Sequence, residues 1–291
     1  MTSLFPVPTP LSSVAMQRTQ GGGRLSVKLS SGESRIDRLF QEGSARIRIP
    51  RGAPGAPLEA VLINTAGGLT GGDVMDWEFE AGEGASMTLA TQACEKTYKA
   101  QAESQARVSV RLRLHPASSL SWLPQETILF DRARLTRDIE VDMAAGSRLL
   151  MVEPVVFGRL AMQESVIHGH FRDRWRIRRD GRLVHAEDMR IGPDIAEALR
   201  RGAVAGGGLA MATVLMIAPD AEARLGAARA LIGASGGASH VPAPGSGAGP
   251  GATGKLLARI VASDSYELRK ILVPLIRLLN PLGGVPKVWS I

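Results

Sequence analysis

A mainly β fold, with strands stacked in sheets and two α-helices near the C-terminus, is what this 291-residue sequence predicts. Three observations carry that expectation. Apolar and polar residues alternate with period two in segment after segment, as in Met75-Asp76-Trp77-Glu78-Phe79-Glu80 and Arg107 to Leu114. No helical pattern separates these segments, which favours stacked antiparallel or mixed sheets over a doubly wound fold. Glycine is abundant, at 33 residues, and helical periodicity is confined to the last third. Periodicity alone does not separate a sandwich from other stacked-sheet arrangements.

The elements follow in order. Residues 1–23 carry prolines at 6, 8 and 10 and then Gly21-Gly22-Gly23, and read as a disordered N-terminal arm. The remainder, 24–291, reads as a single β-rich domain. Leu25, Val27 and Leu29 mark a strand, and Ile47 and Ile49 mark another that Pro50 stops. Val61 to Asn64 leads into a loop with glycines at 67, 68, 71 and 72, closed by Asp73. Four glycines in six residues suit positive φ or direct packing of backbone on backbone. With the turn Gly82-Glu83-Gly84 and the strand Met87 to Thr91, the plain reading is a β-hairpin with a compact entry loop. The sharper reading is a surface where a ligand or partner meets loop backbone. Leu135, Ile139 and Val141 oppose Asp138, Glu140 and Asp142, Leu149 to Val152 reads as a buried strand, and Val166 to Ile177 as a longer one. Pro219-Asp220 opens a helix to about Ile232, with Gly233 as its stop. Residues 234–254 are almost all Gly, Ala, Ser and Pro and read as a flexible loop. Ser263-Asp264 caps a second helix striped by Leu268, Leu272, Leu275 and Leu279, which Pro274 should kink or end.

Composition narrows the function classes. A lone cysteine, Cys94, excludes an intramolecular disulfide and suits a reducing compartment. The first residues lack the apolar segment of a signal peptide, and no stretch has the roughly 18 apolar residues of a membrane span. A cytoplasmic protein away from membranes is the expectation. The net charge of +7 raises nucleic acid as a partner. Most arginines alternate with apolar residues along strands, however, and Arg172 to Arg179 is the one basic run, read here as a solvated or partner-binding strand.

Enzyme signatures are weak. Gly249 to Lys255 has the spacing of a phosphate-binding loop, but Leu256 stands where a Ser or Thr should hold magnesium and no strand precedes it. His168 and His170 would share a strand face, yet two ligands do not close a metal site. Cys94 has no histidine nearby in sequence, no Gly-x-Ser-x-Gly elbow occurs, and Asp138, Glu140 and Asp142 read as a solvated face.

The block Asn64-Thr-Ala-Gly-Gly-Leu-Thr-Gly-Gly-Asp73 with the strand after it resembles the urease accessory protein UreD (UreH) family. Trp122-Leu-Pro-Gln-Glu-Thr-Ile128, Phe130-Asp131, Glu153-Pro-Val-Val-Phe-Gly-Arg159 and Pro286-Lys-Val-Trp289 agree in order across about residues 24–291. The resemblance implies stacked strands in an array of helical turns with two C-terminal helices. It implies a non-enzymatic scaffold with no tightly bound cofactor, which binds UreF, through it the GTPase UreG, and apo-urease, and through which nickel passes in transit. Hard oxygen ligands suit passage, because they hold a divalent ion more loosely than a thiolate or histidine cage. Positions matching polar family positions are Asp73 and Glu187 first, then Glu95, Glu153 and Glu164; for each, the alternative is an ordinary surface or loop-capping carboxylate. Two rivals from other classes are a small nucleotide-binding enzyme using Gly249 to Lys255 and a basic nucleic-acid-binding β-protein. The apolar end, Val288, Trp289 and Ile291, suits either a partner anchor or packing back onto the domain.

Overall fold

The computed structural model describes residues 18–101, 103–158, 164–242 and 254–290. Two sheets face one another. The first is built from β1 (Gln20–Ser30), β2 (Glu33–Gly43), β5 (Val74–Ala81), β8 (Ala106–Leu114), β11 (Arg134–Met143), β13 (His170–Arg179) and β14 (Arg182–Ile191). The second is built from β3 (Ala45–Arg48), β4 (Leu58–Asn64), β6 (Ser86–Thr91), β9 (Ser119–Trp122), β12 (Arg148–Phe157), β15 (Ala210–Ala218), β16 (Gly236–Pro242) and β17 (Gly254–Ala262). Two short strands, β7 (Glu95–Thr97) and β10 (Thr127–Leu129), extend the second sheet beside β12.

The spatial order is β14-β13-β11-β8-β5-β1-β2 in the first sheet and β16-β17-β15-β12-β9-β6-β4-β3 in the second. The chain alternates between them: β4 lies in the second sheet, β5 in the first and β6 back in the second. Neighbours one coil apart are parallel, as β5 with β8, β8 with β11, β11 with β13, β4 with β6 and β9 with β12. The fold is therefore mainly β with mixed stacked sheets wound as a flattened solenoid. The hairpin expected across residues 61–91 does not form. Gly82-Glu83-Gly84 is a corner that carries the chain between sheets, not a turn within one. Period-two alternation reports a half-buried strand and carries no information about its neighbour's direction.

Each inward alternation feeds one inter-sheet core. Leu25, Val27, Met75, Trp77, Phe79, Val110, Leu112, Ile139, Val141, Trp175 and Ile177 face Leu62, Met87, Leu89, Met151 and Phe157 across it. Strand β12 is buried on both faces, because its other face, with Leu150, Val152 and Val156, packs under helices. Those helices are α2 (Leu225–Ile232) and α3 (Ser265–Leu279), while the short α1 (Ile195–Arg200) was not foreshadowed by the sequence.

Several expectations need correction. Gln20 to Gly23 belong to β1 and not to an arm; residues 1–17 lie outside the described residues. Glycine is used there for closeness: a Cβ on Gly23 would fall 2.3 Å from the Trp77 ring. Within the expected loop 234–254, Gly236–Pro242 forms edge strand β16 on β17, and residues 243–253 lie outside the described residues. Small side chains read as flexible in sequence, yet an edge position accepts them once a paired strand supplies the hydrogen bonds. Helix α2 starts at Leu225, later than Pro219-Asp220, because Asp220 instead takes ion pairs from Arg148 at 2.5 Å and Arg224 at 2.6 Å. Gly233 ends α2 with φ of 55°. Asp264 caps α3 through Glu267 N at 2.9 Å, as its position suggests. Pro274 does not end α3, which continues to Leu279 because Leu275, Ile276 and Leu279 stay buried against the sheet.

The C-terminal segment through Trp289 tucks back onto the domain, and Ile291 lies outside the described residues. Trp289 is 2% exposed and donates from Nε1 to the Leu123 carbonyl at 2.9 Å, and Gln125 donates to the Val288 carbonyl at 3.0 Å. Arg269 on α3 sits over the Trp289 ring at 5.4 Å and binds Glu126 at 2.6 Å. Trp289→Ala is expected to lower unfolding stability by about 3–5 kcal/mol, as for other buried aromatics cut to alanine; guanidinium denaturation of both chains checks it. An unchanged midpoint would show that this clamp contributes nothing.

Candidate functional site

Charged residues stand at apolar phases of two neighbouring strands. On β11 the inward set is Leu135, Arg137, Ile139 and Val141; on β13 it is Phe171, Asp173, Trp175 and Ile177. The parallel register puts Arg137 directly beside Asp173. Facing them from the second sheet is Glu153, in phase with Leu149, Met151, Val155 and Phe157. Arg137 Nε and Nη2 donate to the two Asp173 oxygens at 2.9 and 2.8 Å, a bidentate pair. Its Nη1 lies 2.6 Å from Glu153 Oε2 and donates to Thr127 Oγ1 at 3.1 Å. Trp122 Nε1 donates to the other Glu153 oxygen at 2.6 Å. All three charged side chains are almost fully buried. Burial pushes the Glu153 carboxyl up, and the Arg137 charge opposes that push. Arg137 is held in its charged form by Asp173 and Glu153 against burial.

Register extends this cluster into a row along the inter-sheet face. Glu153 lies opposite Thr213 on β15, and Thr213 lies opposite Arg259 on β17. Arg259 forms an ion pair with Glu187 on β14, closing the gap between the sheets at that edge. A cleft of about 400 Å³, lined by Met189, Ile191, Met211, Thr213 and Arg259 among others, opens there. Towards the other end, Thr127 lies opposite Glu95 on β7. Asn64 Nδ2 donates to Glu95 Oε1 at 3.2 Å. Burial, helped by the charge of Asp73 and opposed by the Asn64 bond, pushes the Glu95 carboxyl up to about 7. Thr97 Oγ1, Trp175 Nε1 and His185 Nε2 are further buried polar atoms with no hydrogen-bond partner among the described residues. Burial, with the Lys255 charge, pushes His185 down to about 4, so it is neutral at pH 7.

The glycine loop fixes the Glu95 end. A Cβ on Gly68 would fall 2.7 Å from the Lys96 carbonyl, so only glycine lets the loop backbone reach β7. Leu69 N then donates to Lys96 O, and Tyr98 N to Leu69 O, both at 2.7 Å. Asp73 is 3% exposed and accepts from Thr19 N and Thr70 N, both at 2.8 Å. Its oxygens are taken up by backbone, so it caps the loop, the alternative that the sequence left open.

The five acidic candidates are thus placed as follows. Glu187, Glu153 and Glu95 lie along the row, and Asp73 caps the glycine loop beyond its Glu95 end. Asp73 and Glu187 are not neighbours: four strand spacings separate β5 from β14, about 19 Å at roughly 4.8 Å each. Glu164 is half-buried in the segment after β12 and lies on no strand. Arg137, Asp173, Thr127 and Thr213 escaped the sequence reading. The signal for the first two was a charge in an apolar phase on each of two alternating strands. Among the described residues no three His, Cys, Asp or Glu side chains group to hold a metal ion.

Other candidates resolve into ordinary structure. Cys94 is half-buried with Sγ 3.2 Å from Glu126; burial and that carboxylate push the thiol up to about 11, so it is no thiolate. His168 pairs with Asp194 at 3.1 Å. The basic run on β13 lies beside acids on β11, with Asp138, Glu140 and Asp142 opposite Arg174, Arg176 and Arg178. The stripe repeats inward, since Glu140 also faces Arg111, and Arg111 faces Glu78. The outer face is a ladder of alternating charge and not a basic patch. Of the phosphate-loop segment, only Gly254 and Lys255 are described; they start β17, and Lys255 Nζ donates to the Val184 carbonyl at 2.8 Å. No helix among the described residues is long and apolar enough to cross a membrane.

The chain is a flattened β-solenoid of two stacked sheets with a buried polar row between them. Comparison with known proteins makes this specific. The family model "UreD urease accessory protein" matches residues 19–290, so the chain belongs to the UreD family of urease accessory proteins. It is 51% identical over 283 residues to "Urease accessory protein UreD" of Mesorhizobium japonicum, covering 97% of this chain and 98% of that protein. It is 50% identical over 281 residues to "Urease accessory protein UreD 1" of Brucella ovis, covering 97% of each. Both are named as urease accessory proteins and not for a reaction, and this chain is an accessory protein rather than an enzyme.

The raised Glu95 carboxyl gives a pH prediction. Above the ordinary glutamate value of 4.5 the unfolded chain releases this proton, while the folded chain keeps it until about pH 7. Stability therefore falls across that window and is flat above it. Glu95→Gln removes that slope and is expected to be more stable than wild type at pH 8, by an amount of order 3 kcal/mol. Urea unfolding at pH 5 and pH 8 checks this. Equal slopes in both chains would place the carboxyl in a wetter setting.

Proposed function

We propose that this chain conducts nickel into apo-urease as cargo, while scaffolding UreF and, through it, the GTPase UreG on the urease apoprotein. The observation that carries the reading is the buried polar row Thr213–Glu153–Thr127–Glu95 with Arg137 and Asp173 in the core between the sheets, continued at the edge by the part-exposed Arg259–Glu187 pair. A protein with purely structural needs fills such a core with aliphatic side chains, since buried polar groups contribute little net stability. Carboxylate and hydroxyl oxygens spaced one strand apart provide successive weak contacts for a hard divalent ion. The solvent cleft reaching Thr213 supplies one end, and the glycine loop at Asn64 and Asp73 supplies the other.

The rivals have less support. Lys255 lies on strand β17 and is engaged with a backbone carbonyl, and the acids beside β13 reduce the field a nucleic acid needs. A cytoplasmic setting fits the same role and the single cysteine.

The test is co-expression of the urease subunits and their other accessory proteins with and without this chain, scoring activity and bound nickel. Apo-urease is expected only when the chain is missing; fully loaded urease in its absence overturns the reading. Within the chain, Glu153→Gln and Glu187→Ala are expected to cut nickel loading by about tenfold or more, the scale of disturbed metal-site contacts, with the complex still assembled. Asp73→Ala is expected to act differently, by loosening the loop and the assembled complex itself.

A further inference from the structure

A cation path has an odd member at its centre, a permanently charged arginine. Resting on the nickel-passage reading above, we propose that Arg137 is the resident counter-ion that keeps Glu153 and Asp173 from retaining a divalent cation. The geometry is specific. Two carboxylates converge on one point from opposite sheets, with the Thr127 hydroxyl beside them and Thr213 one strand away from Glu153. Without the guanidinium this is an oxygen-rich, water-poor pocket of the kind that holds hard divalent ions. A passage built that way would be a trap, since attraction between opposite charges is strong where the surroundings are apolar.

Arg137 occupies the inward-facing acceptors. Its fork takes both Asp173 oxygens, and its remaining terminal nitrogen meets Glu153 and Thr127. Unlike a lysine, it does not lose its charge on burial, so it competes with the metal at every working pH. The guanidinium carbon also lies 5.8 Å from the Phe171 ring centroid, on the same strand as Asp173. The two grips are unequal. The bidentate grip and the ring hold Arg137 on the β13 side, so a passing ion takes Glu153 while Arg137 stays with Asp173. The ion meets one free carboxylate at a time and is handed on, with no charge left bare.

The experiment titrates the full-length chain with nickel chloride and follows binding by calorimetry. Wild type is expected to bind weakly. Arg137→Gln is expected to bind one nickel ion at least about tenfold tighter, because two buried carboxylates gain no other counter-charge. Arg137→Lys, a point charge that cannot grip bidentately, is expected to fall between them. Adding Glu153→Gln to either variant is expected to return binding to the wild-type level. Where Arg137→Gln does not fold, the comparison of wild type with Arg137→Lys decides alone. A merely structural arginine would lower stability in the same order with flat nickel affinity, and that result overturns the proposal. The urease assay separates the two layers. Tighter nickel in the variants together with normal urease loading by Glu153→Gln leaves the counter-ion role standing and removes the passage reading. Flat affinity removes the counter-ion role whatever the urease assay gives.

Discussion

The bidentate bond between Arg137 and Asp173, shared with Glu153 from the opposite sheet, is the interaction on which the rest of the structure depends. Apolar packing between sheets is tolerant of sliding, whereas a buried ion cluster is not. Removing one partner strands an uncompensated charge, at a cost of about 3–5 kcal/mol. The cluster therefore pins the two sheets against one another, β11 and β13 on one side and β12 on the other. Thr213 and Arg259 inherit their inward positions from Glu153 through register.

One short segment serves both layers of the protein. Trp122 donates to Glu153 in the row, Leu123 accepts from Trp289, Gln125 holds the Val288 carbonyl, and Glu126 binds Arg269 on α3. Trp122 thus addresses the inter-sheet core, while Leu123, Gln125 and Glu126 address the C-terminal segment and α3. The C-terminal helix is thereby fastened to the stretch that directly follows Trp122, the donor to the central carboxylate. A loss of contact in the helical layer would be felt at the row through one residue step.

Much of the architecture was legible in the sequence. Alternation located most strands, the Asp264 cap and leucine stripe located α3, and Gly233 marked the end of α2. Strand direction was not legible, because a half-buried strand looks alike beside a parallel or an antiparallel neighbour. Nor was the β-structure of Gly21 to Gly23 or of Gly236 to Pro242, where small residues answer to a tryptophan ring or an edge and mimic flexible composition. Of the acidic positions singled out through the family resemblance, Glu153 and Glu95 lie buried between the sheets, Glu187 lies at the sheet edge, and Asp73 caps the glycine loop. Arg137 and Asp173 were hidden in plain alternation. Arg137 falls silent between Leu135 and Ile139, and Asp173 is masked by the arginines around it. Their meaning exists only once β11 and β13 are known to be parallel and in register.

The most direct measurement of the central claim is anomalous diffraction at the nickel edge, on crystals of this chain assembled with its urease target and soaked in nickel. Anomalous density is expected between the two sheets, beside Glu153 and along the line to Glu187 or Glu95, with oxygen neighbours only. Density confined to the outer surface, such as at His168 and His170, in crystals whose urease has nonetheless taken up nickel, would contradict it.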